Sequence, residues 1–402
     1  MGGRNVTALH RAQDPRVAVV RGEALNPFEM QVYSLVAERL DLFAVGRRDP
    51  LYDLDTIRFR YRLLPALNQY PTVRRLARVA AWHRFRLPHP DRLFCLGWAT
   101  RDRTILHAAE IAFPLTQQVL EIANKTSAHV ILTCWENIPF RGDEDPTVAA
   151  MKRRAVISAD HFIATSQSAR GALIDEGVEP ERISVIPPGI DCERFEPDGP
   201  RAPVRETLGL SSDVLLALFV GRVIGEKGVV ELVRALASLE NPRVHLAIMG
   251  DGAQKPRVQR AARLLGVADR VHLLEHTAYG NLPTFLRAAD LIAVPSLSTP
   301  YWQEQFGMIL AESMACGLPI LATRSGAIPE VVGDAAVLVP DYDVEALATG
   351  LEKLVEDENL RHRLALLGRK RAVEKFAIDV VAPQIEQCYR AVTSRPPRAE
   401  AT

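Results

Sequence analysis

The chain has 402 residues, of which 48% are hydrophobic and 24% are charged. A chain of this length exceeds what a single hydrophobic core usually supports, so we expect a globular protein with two domains. Its 49 lysine and arginine residues balance 49 aspartate and glutamate residues, which argues against a general nucleic-acid binder.

The first half of the chain predicts a parallel sheet covered by helices. After residues 1–15, which we expect to form a flexible N terminus, short β-branched apolar runs alternate with amphipathic stretches. The predicted strands of this first series are 16–20, 41–45, 104–108, 129–134, 161–165 and 183–186. We therefore assign residues 16–190 to a first α/β domain of Rossmann-like type.

An arginine-rich stretch interrupts this series. Residues Thr56–Arg86, called the arginine segment below, include no Asp or Glu. Its arginines are Arg58, Arg60, Arg62, Arg74, Arg75, Arg78, Arg84 and Arg86. Apolar residues interleave with them, as in helices that lie in the headgroup interface of an anionic membrane. The alternative interpretation is a helix pair that packs on the sheet and leaves its arginines in water or on an anionic acceptor.

The second half of the chain repeats the pattern after a linker. Proline, glycine and acidic residues break regular structure between about 187 and 204, and we place the domain boundary there. The strands of the second series are predicted at 214–220, 244–249, 271–275, 291–294, 319–323 and 335–339. Residues 200–376 are accordingly assigned to a second Rossmann-like domain.

The C-terminal part is predicted to be helical. The pattern runs from about Asp343 to Arg390, with an interruption from Phe376 to Pro383. We expect the last helix, at 377–392, to cross back onto the first domain. Residues 393–402 lack apolar periodicity and are expected to form a disordered tail.

The loop after the first strand of the second domain combines glycine with two cations. The buried run ends at Gly221, which is followed by Arg222 and then by Lys227. Because ligands bind at strand ends in open α/β sheets, these cations could neutralise a diphosphate; a solvated turn is the alternative. Gly250 and Gly252, in the turn after the next strand, are expected to shape the pocket.

The segment EQFGMILAESMACGLPI, at 304–320, places a carboxylate on each side of a predicted helix start. If the chain is helical from Glu304 to Glu312, the two carboxylates lie about 12 Å apart along the axis, a reach comparable to a ribose and a sugar joined by a diphosphate. The helix dipole would then favour phosphates at its start. The backbone N–H groups facing them would be those of Gln305, Phe306, Gly307 and Met308. A capped surface helix is the alternative.

These segments together resemble the retaining glycosyltransferases of family 4. That group includes sucrose-phosphate synthases, bacterial-type glycogen synthases and bacterial mannosyltransferases. The resemblance runs from about Asp160 to Phe376, and Glu304 and Glu312 stand at the family's E-x7-E motif. It implies the GT-B fold, in which two Rossmann-like domains face each other across a cleft, with the donor in the second domain and the acceptor in the first.

The resemblance also implies roles for individual residues. Glu304 would contact the donor sugar, Glu312 would bind the ribose hydroxyls, and Arg222 with Lys227 would bind the diphosphate. Further donor-binding positions are Gly221, Gly250, Gln305, Phe306, Gly307 and Met308. The implied reaction transfers a hexose from a UDP- or GDP-sugar to an acceptor hydroxyl with retention, by a front-face displacement that needs neither a cofactor nor a metal ion.

The first domain departs from the family pattern. Many relatives carry a Gly-Gly loop after the first strand and a histidine after the fourth, whereas this chain has an Arg-Gly-Glu and a Trp-Glu-Asn sequence at those places. The candidate acceptor-side residues are Arg21, Gly22, His107, Glu110, Trp135, Glu136 and Asn137. Glu136 or Asn137 could replace the histidine, and the alternative is a structural turn; His107 and Glu110 either line the acceptor cleft or are simply loop residues.

The sequence predicts no metal site and no membrane span. Asp143 and Asp145 have DxD spacing but lie in a polar loop, and the five cysteines are far apart without metal-ligand spacing. Such cysteines favour a reducing compartment, and we find neither a signal peptide nor a run of ~20 apolar residues. We expect a cytoplasmic protein, which would lie on the inner membrane face if the arginine segment binds lipid.

Two other functions fit the same fold. A nucleotide-sugar 2-epimerase would convert the donor alone into an epimer, and a sugar-nucleotide-binding protein would have kept the fold without activity. The presence of Glu304, Glu312, Arg222 and Lys227 counts against the second. The acceptor, whether a glycan, a lipid or a small molecule, stays open. The donor base also stays open, because its recognition would lie in short loops such as LLEHTAYG at 273–280, where many sequences serve.

Overall fold

The computed structural model describes residues 14–70, 91–275 and 277–396. They form two compact units. The first unit contains the described residues up to Thr165, Ala169–Pro187 and the residues from Val381 onward. The second unit contains Ser166–Ser168 and Pro188–Val380. The chain therefore passes from the first unit to the second after Pro187 and returns after Val380.

The first unit is built on a seven-stranded parallel sheet. Its strands are β1 (Arg16–Gly22), β2 (Asp41–Arg47), β3 (Tyr61–Leu64), β4 (Ile105–Ala109), β5 (His129–Cys134), β6 (His161–Ala164) and β7 (Ile183–Val185), in the order β3-β2-β1-β4-β5-β6-β7. Its helices include α1 (Pro27–Arg39), α2 (Leu96–Ala99), α3 (Pro114–Thr126), α4 (Pro146–Ser158) and α5 (Gln167–Asp175). The strand order reverses between β1 and β4, so their carboxyl ends flank the topological switch point where ligands bind in such sheets.

Local sequence explains where the helices of this unit begin. The Asn26 side chain accepts the Glu29 N–H, and Pro27 stands at the first helical position of α1. The Asp145 side chain likewise caps α4, with Pro146 next in the chain. A polar cap followed by proline favours a helix start. The cap side chain accepts an N–H group that has no partner in the first turn, and proline at the first position has no N–H that would need one.

The arginine segment contains a strand that the sequence did not predict. Tyr61–Leu64 pairs in parallel with β2, so the helical prediction is wrong for this part. Arg60 forms an ion pair with Asp41 at 2.6 Å, and the Arg62 guanidinium lies 4.4 Å from the centre of the Phe43 ring. These contacts hold two of the three described arginines within the unit. The other five arginines of the segment, Arg74, Arg75, Arg78, Arg84 and Arg86, lie outside the described residues.

The second unit repeats the architecture with a six-stranded parallel sheet. Its strands are β8 (Leu215–Val220), β9 (Val244–Met249), β10 (Val271–Leu274), β11 (Leu291–Val294), β12 (Ile320–Thr323) and β13 (Ala336–Val339), in the order β10-β9-β8-β11-β12-β13. Its helices are α6 (Ala202–Thr207), α7 (Val229–Ser238), α8 (Lys255–Leu264), α9 (Leu282–Ala288), α10 (Met308–Ala315), α11 (Ile328–Val332), α12 (Val344–Glu356) and α13 (Glu358–Lys375). The switch point here lies between β8 and β11. Two Rossmann-like α/β sheets confirm the predicted fold class.

The end of the described chain is one helix, α14 (Ile378–Thr393), with Pro383 inside it. The predicted interruption from Phe376 to Pro383 is therefore wrong in extent, because only two residues separate α13 from α14. Proline removes one helical hydrogen bond, and the buried side chains of this helix, Val381, Ala382, Ile385, Cys388, Tyr389 and Val392, offset that loss. Among the described helices, none is long and apolar enough to cross a membrane.

A buried polar network joins α14 to the sheet of the first unit. His107 on β4 has no exposed surface, and its Nδ1 lies 2.7 Å from the Tyr389 hydroxyl of α14. Its Nε2 lies 2.6 Å from the Thr133 hydroxyl of β5. Burial, with the Arg21 cation nearby, lowers the pKa of His107 well below its usual value. The ring is therefore neutral and serves as one donor and one acceptor between two hydroxyl groups.

The network predicts that Tyr389→Phe destabilises the protein. The substitution keeps the ring but leaves the Nδ1 of buried His107 without the phenol, which should lower the free energy of unfolding by about 1 to 3 kcal/mol in urea titrations. Tyr61→Phe is the matched control, since Tyr61 is exposed on β3, and it should change stability by less than about 0.5 kcal/mol. Equal stability of both variants would contradict the role given to the His107–Tyr389 contact.

Candidate functional site

The carboxyl edge of the second sheet holds a buried carboxylate, that of Glu304. Only 6% of this residue is exposed. Lys227 Nζ donates to Glu304 Oε2 at 2.6 Å, and the Ser296 hydroxyl donates to the same oxygen at 2.7 Å. The Lys227 ammonium also lies 5.1 Å from the centre of the Trp302 ring. A buried carboxylate needs such partners, and they bring together two residues that the sequence selected, Glu304 and Lys227.

The backbone of Glu304 is fixed by the loop after β12. Its N–H donates to the Ser325 hydroxyl at 3.3 Å, and its carbonyl accepts the Ala327 N–H at 2.9 Å. Gly326 lies between these partners with a positive φ of 50°, and a Cβ there would lie 2.1 Å from the Glu304 carbonyl oxygen. Gly326 was not singled out from the sequence. It is required because two backbone segments meet at this point.

Helix α10 begins four residues after Glu304. Its N-cap is Gly307, which has a left-handed conformation, and no side chain caps the helix start. The predicted helix from Glu304 to Glu312 is therefore wrong in its first turn, and the 12 Å estimate does not apply. Phe306 is buried against the Phe376 ring, whereas Gln305, Gly307 and Met308 are partly buried. The first N–H groups of α10 have no partner within the helix.

The turns after β8 and β9 approach each other closely. A Cβ on Gly250 would lie 1.8 Å from the carbonyl oxygen of Gly221, so only glycine fits at this predicted pocket-shaping position. Arg222 follows Gly221 and is exposed. Within the described part of the chain, we find no ion pair or hydrogen bond of the Arg222 side chain. Its guanidinium is therefore available at the edge where Lys227 and Glu304 lie.

Glu312 is buried in helix α10 with a phenol as its partner. It is 3% exposed, and the Tyr279 hydroxyl donates to its Oε1 at 2.5 Å. Burial raises the pKa of Glu312 to about 7, while the Tyr279 hydrogen bond and the Arg194 cation act in the opposite direction. Arg194 lies over the Tyr279 ring at 4.6 Å. Tyr279 stands in the 273–280 loop that the sequence suggested for base recognition. Arg194 lies in the predicted linker, where no motif indicated a functional residue.

In the first unit, two candidate acceptor residues are interior. Arg21 is buried, with Nε donating to Glu29 Oε1 at 2.8 Å and Nη1 donating to the His107 carbonyl at 3.0 Å. His107 belongs to β4 and has no exposed surface. Neither proposed interpretation of His107 is therefore correct, since it is not a loop residue and cannot line an open cleft. Both side chains stabilise the sheet at the β1–β4 switch point.

The other candidates of this unit cluster at the ends of β4 and β5. Glu110 has a positive φ of 60° and accepts the Trp135 N–H at 2.8 Å, and burial raises its pKa to about 7. Glu136 accepts the N–H of buried Asn137 at 3.1 Å and pairs with Arg141 at 2.5 Å. These contacts are those of a structural turn. Gly22 has a positive φ of 59° at the end of β1.

The two aspartates of the DxD candidate, Asp143 and Asp145, form contacts within the fold. Asp143 pairs with Lys152 at 2.8 Å, and Asp145 accepts the Thr147 N–H as the cap of α4. Over the described ranges, no three His, Cys, Asp or Glu side chains are grouped in a way that could hold a metal ion.

Both halves of the chain match models of glycosyltransferase families. Residues 35–194 match the model described as Glycosyltransferase Family 4, and residues 201–371 match Glycosyl transferases group 1. The MMP alpha-(1->4)-mannosyltransferase of Mycolicibacterium hassiacum is 32% identical over 328 residues, which cover 80% of this chain and 74% of that protein. The D-inositol 3-phosphate glycosyltransferase of Xylanimonas cellulosilytica is 35% identical over 258 residues, or 61% of this chain.

The alignments with the inositol phosphate enzymes are partial. The chain spans 60% of the length of the Xylanimonas protein, and 54% and 56% of its counterparts from Streptomyces bingchenggensis and Stackebrandtia nassauensis. Among solved structures, HepE of Anabaena in complex with UDP-glucose superposes with a TM-score of 0.75 at 19% identity, covering 94% of this chain and all of that one. At that identity the likeness shows a shared fold.

The contact between Gly326 and Glu304 predicts a steric sensitivity. Gly326→Ala should destabilise the protein more than Gly266→Ala, by about 2 kcal/mol or more in urea unfolding. Both glycines have a positive φ, so each alanine carries roughly 1 to 2 kcal/mol of left-handed strain. Only at Gly326 does the new Cβ also meet backbone, since nothing lies within 4 Å of a Cβ at Gly266. Equal losses for the two variants would exclude the clash.

Proposed function

The chain belongs to glycosyltransferase family 4, and from that premise we propose that it is a retaining hexosyltransferase. It transfers a sugar from a nucleoside diphosphate donor to an acceptor hydroxyl. The observation that carries the proposal is the buried Glu304 carboxylate, which is held by Lys227 at the β8–β11 switch point. None of the relatives reported above is named as an epimerase, and no contact in the described residues favours that alternative.

Arg222, Lys227 and the start of α10 are the proposed diphosphate site. Arg222 brings an exposed guanidinium and Lys227 an ammonium to the edge after β8. The uncapped helix start at Gly307 adds N–H groups and the positive end of the helix dipole. Gly221 and Gly250 keep this edge free of side chains. Together these groups stabilise the negative charge that the leaving diphosphate gains as the glycosidic bond breaks.

Glu304 is the proposed partner of the donor sugar. As the diphosphate leaves, positive charge develops on the sugar ring, and a fixed carboxylate near the ring stabilises it. Lys227 joins the two parts of this site. It pairs with Glu304 at 2.6 Å, and a bound diphosphate would give it a second anionic partner. The acceptor hydroxyl then attacks from the face that the diphosphate leaves.

The proposed donor is a UDP- or GDP-sugar and the proposed acceptor is a hydroxyl compound. UDP-glucose is bound by HepE, which shares the fold, and D-inositol 3-phosphate is named as the acceptor of several relatives. These parallels support a nucleotide-sugar donor and a small polyol acceptor, and a lipid or glycan acceptor stays a prediction. Glu110, directly after β4, is the acceptor-side candidate that we retain in the first unit.

Binding of the arginine segment to an anionic membrane stays a prediction. Five of its eight arginines lie outside the described residues, and Arg60 and Arg62 are held by Asp41 and Phe43 within the fold. The described contacts therefore give the membrane proposal no support of their own.

The diphosphate site predicts that Arg222→Ala and Lys227→Ala each weaken binding of UDP or GDP at least tenfold. Loss of one charge-assisted contact to a phosphate costs about 1.5 to 3 kcal/mol. Isothermal titration calorimetry measures the effect. Lys370→Ala is the control, because Lys370 is an exposed cation of the same unit that pairs only at 3.8 Å with Glu374. Unchanged affinity in both site variants would remove these residues from the site.

The two glutamates should respond differently to replacement. Glu304→Gln keeps the shape but removes the charge that stabilises the transition state, so kcat should fall by about a hundredfold or more while nucleotide affinity stays nearly constant. Glu312→Ala removes the acceptor for the ribose hydroxyls and should mainly weaken nucleotide binding. Transfer rates and nucleotide affinities are measured for both variants side by side. A Glu304→Gln enzyme with the wild-type rate would refute the assigned role.

A further inference from the structure

The partner of Glu312 is the hydroxyl of Tyr279, which donates to Oε1 at 2.5 Å. The function proposed above requires this same carboxylate to bind the ribose hydroxyls of the donor. A hydroxyl group of the protein thus contacts the carboxylate that the proposed function assigns to ribose hydroxyls. The inference below rests on the proposed function and concerns how Tyr279 affects it.

The Tyr279 side chain is held in place by its own surroundings. It starts the 3-10 turn Tyr279–Asn281, between β10 and α9. The Arg194 guanidinium lies 4.6 Å from the centre of its ring and donates to its carbonyl at 2.8 Å, and the Phe195 ring centre lies 5.8 Å away. The phenol is therefore aimed at Glu312 by a cation above its ring and a backbone contact beside it.

The protonation states suit a donor and an acceptor. Burial and the nearby Glu312 carboxylate raise the pKa of Tyr279 well above its usual value, so the phenol keeps its proton at neutral pH. Burial raises the pKa of Glu312 to about 7 against the Tyr279 hydrogen bond and the Arg194 cation, so Glu312 is an ionised acceptor for the phenol above that pH. The contact replaces, in a buried place, the hydrogen bonds with water that the carboxylate lost on folding.

We propose that the Tyr279 hydroxyl holds the place of a ribose hydroxyl on Glu312, and that Tyr279 thereby sets the affinity of the enzyme for its nucleotide. When a nucleotide binds, a ribose hydroxyl takes over the carboxylate oxygen and the phenol moves away. One hydrogen bond replaces another, so the ribose contact adds little net affinity. When the nucleoside diphosphate product leaves, Tyr279 returns to Glu312, and the carboxylate is not left without a donor.

The proposal predicts a gain of affinity when the phenol is removed. Tyr279→Phe keeps the ring and its contact with Arg194 but removes the competing hydroxyl. In this variant UDP should bind up to about tenfold more tightly than in the wild type, because the ribose now provides the hydrogen bond that Glu312 lacks. 2′,3′-Dideoxy-UDP, which has no ribose hydroxyls, should bind equally to both proteins. If GDP binds the wild type better than UDP, GDP and 2′,3′-dideoxy-GDP are the probes.

Two further variants make the calorimetric test specific. In a Glu312→Ala background, which has no acceptor for either hydroxyl, Tyr279→Phe should produce no gain, so that the double-mutant cycle assigns the effect to this pair. Tyr61→Phe, at an exposed position of the first unit, controls for loss of a phenol elsewhere. Thermal unfolding checks that each variant is folded before its affinity is compared.

The outcomes separate the two proposals. Weaker UDP binding by Tyr279→Phe would show that the phenol contacts the nucleotide directly, and unchanged binding would show that it does not compete; each result overturns the inference while leaving the transferase proposal intact. An equal gain with UDP and its dideoxy analogue would also overturn it, because the ribose hydroxyls would then be irrelevant. If the wild type binds none of UDP, GDP and ADP, the proposed function itself fails and the inference with it.

Discussion

The arrangement of the second unit depends on holding one buried ion pair, that of Glu304 with Lys227, away from water. A buried charge is tolerated only with a charged or hydrogen-bonding partner. The partners of the carboxylate come from the carboxyl ends of two neighbouring strands, with Lys227 after β8 and Ser296 after β11. The backbone N–H of Glu304 donates to Ser325 after β12, the next strand of the sheet. Moving the end of β8 or β11 would remove one of the two partners of the charge. The parallel sheet thus fixes the geometry of the site.

The two sheets use their switch points differently. In the first unit, Arg21 is tied to Glu29, and His107 is tied to Tyr389, so polar side chains beside the switch point stabilise the fold. In the second unit, Arg222 is exposed and the start of α10 has no side-chain cap. An exposed guanidinium beside an uncapped helix start is suited to binding an anion. This contrast supports a diphosphate site in the second unit.

The sequence predicts strands well here and contacts poorly. All twelve predicted strands are present, because a strand buried on both faces reads as a continuous apolar run. β3 was missed, since YRLL is short, lies at the sheet edge and carries an arginine. The start of α10 was misplaced because Gly307 ends up left-handed, a conformation that a periodic pattern does not reveal. The contact of Tyr279 with Glu312 joins residues 33 positions apart, and only the packing of a loop against a helix creates it.

The two glutamates of the E-x7-E motif, Glu304 and Glu312, lie in chemically different surroundings. Glu304 has an ammonium, that of Lys227, and the Ser296 hydroxyl as partners. Glu312 lies deeper, its pKa is raised to about 7, and its partner is a neutral phenol. Two carboxylates in different surroundings can take different roles, one as a fixed charge and one as a hydrogen-bond acceptor. A fixed charge suits a sugar that becomes positive as its bond breaks, and an uncharged ribose needs only an acceptor. The surroundings, rather than the spacing, therefore distinguish the two glutamates in the proposed site.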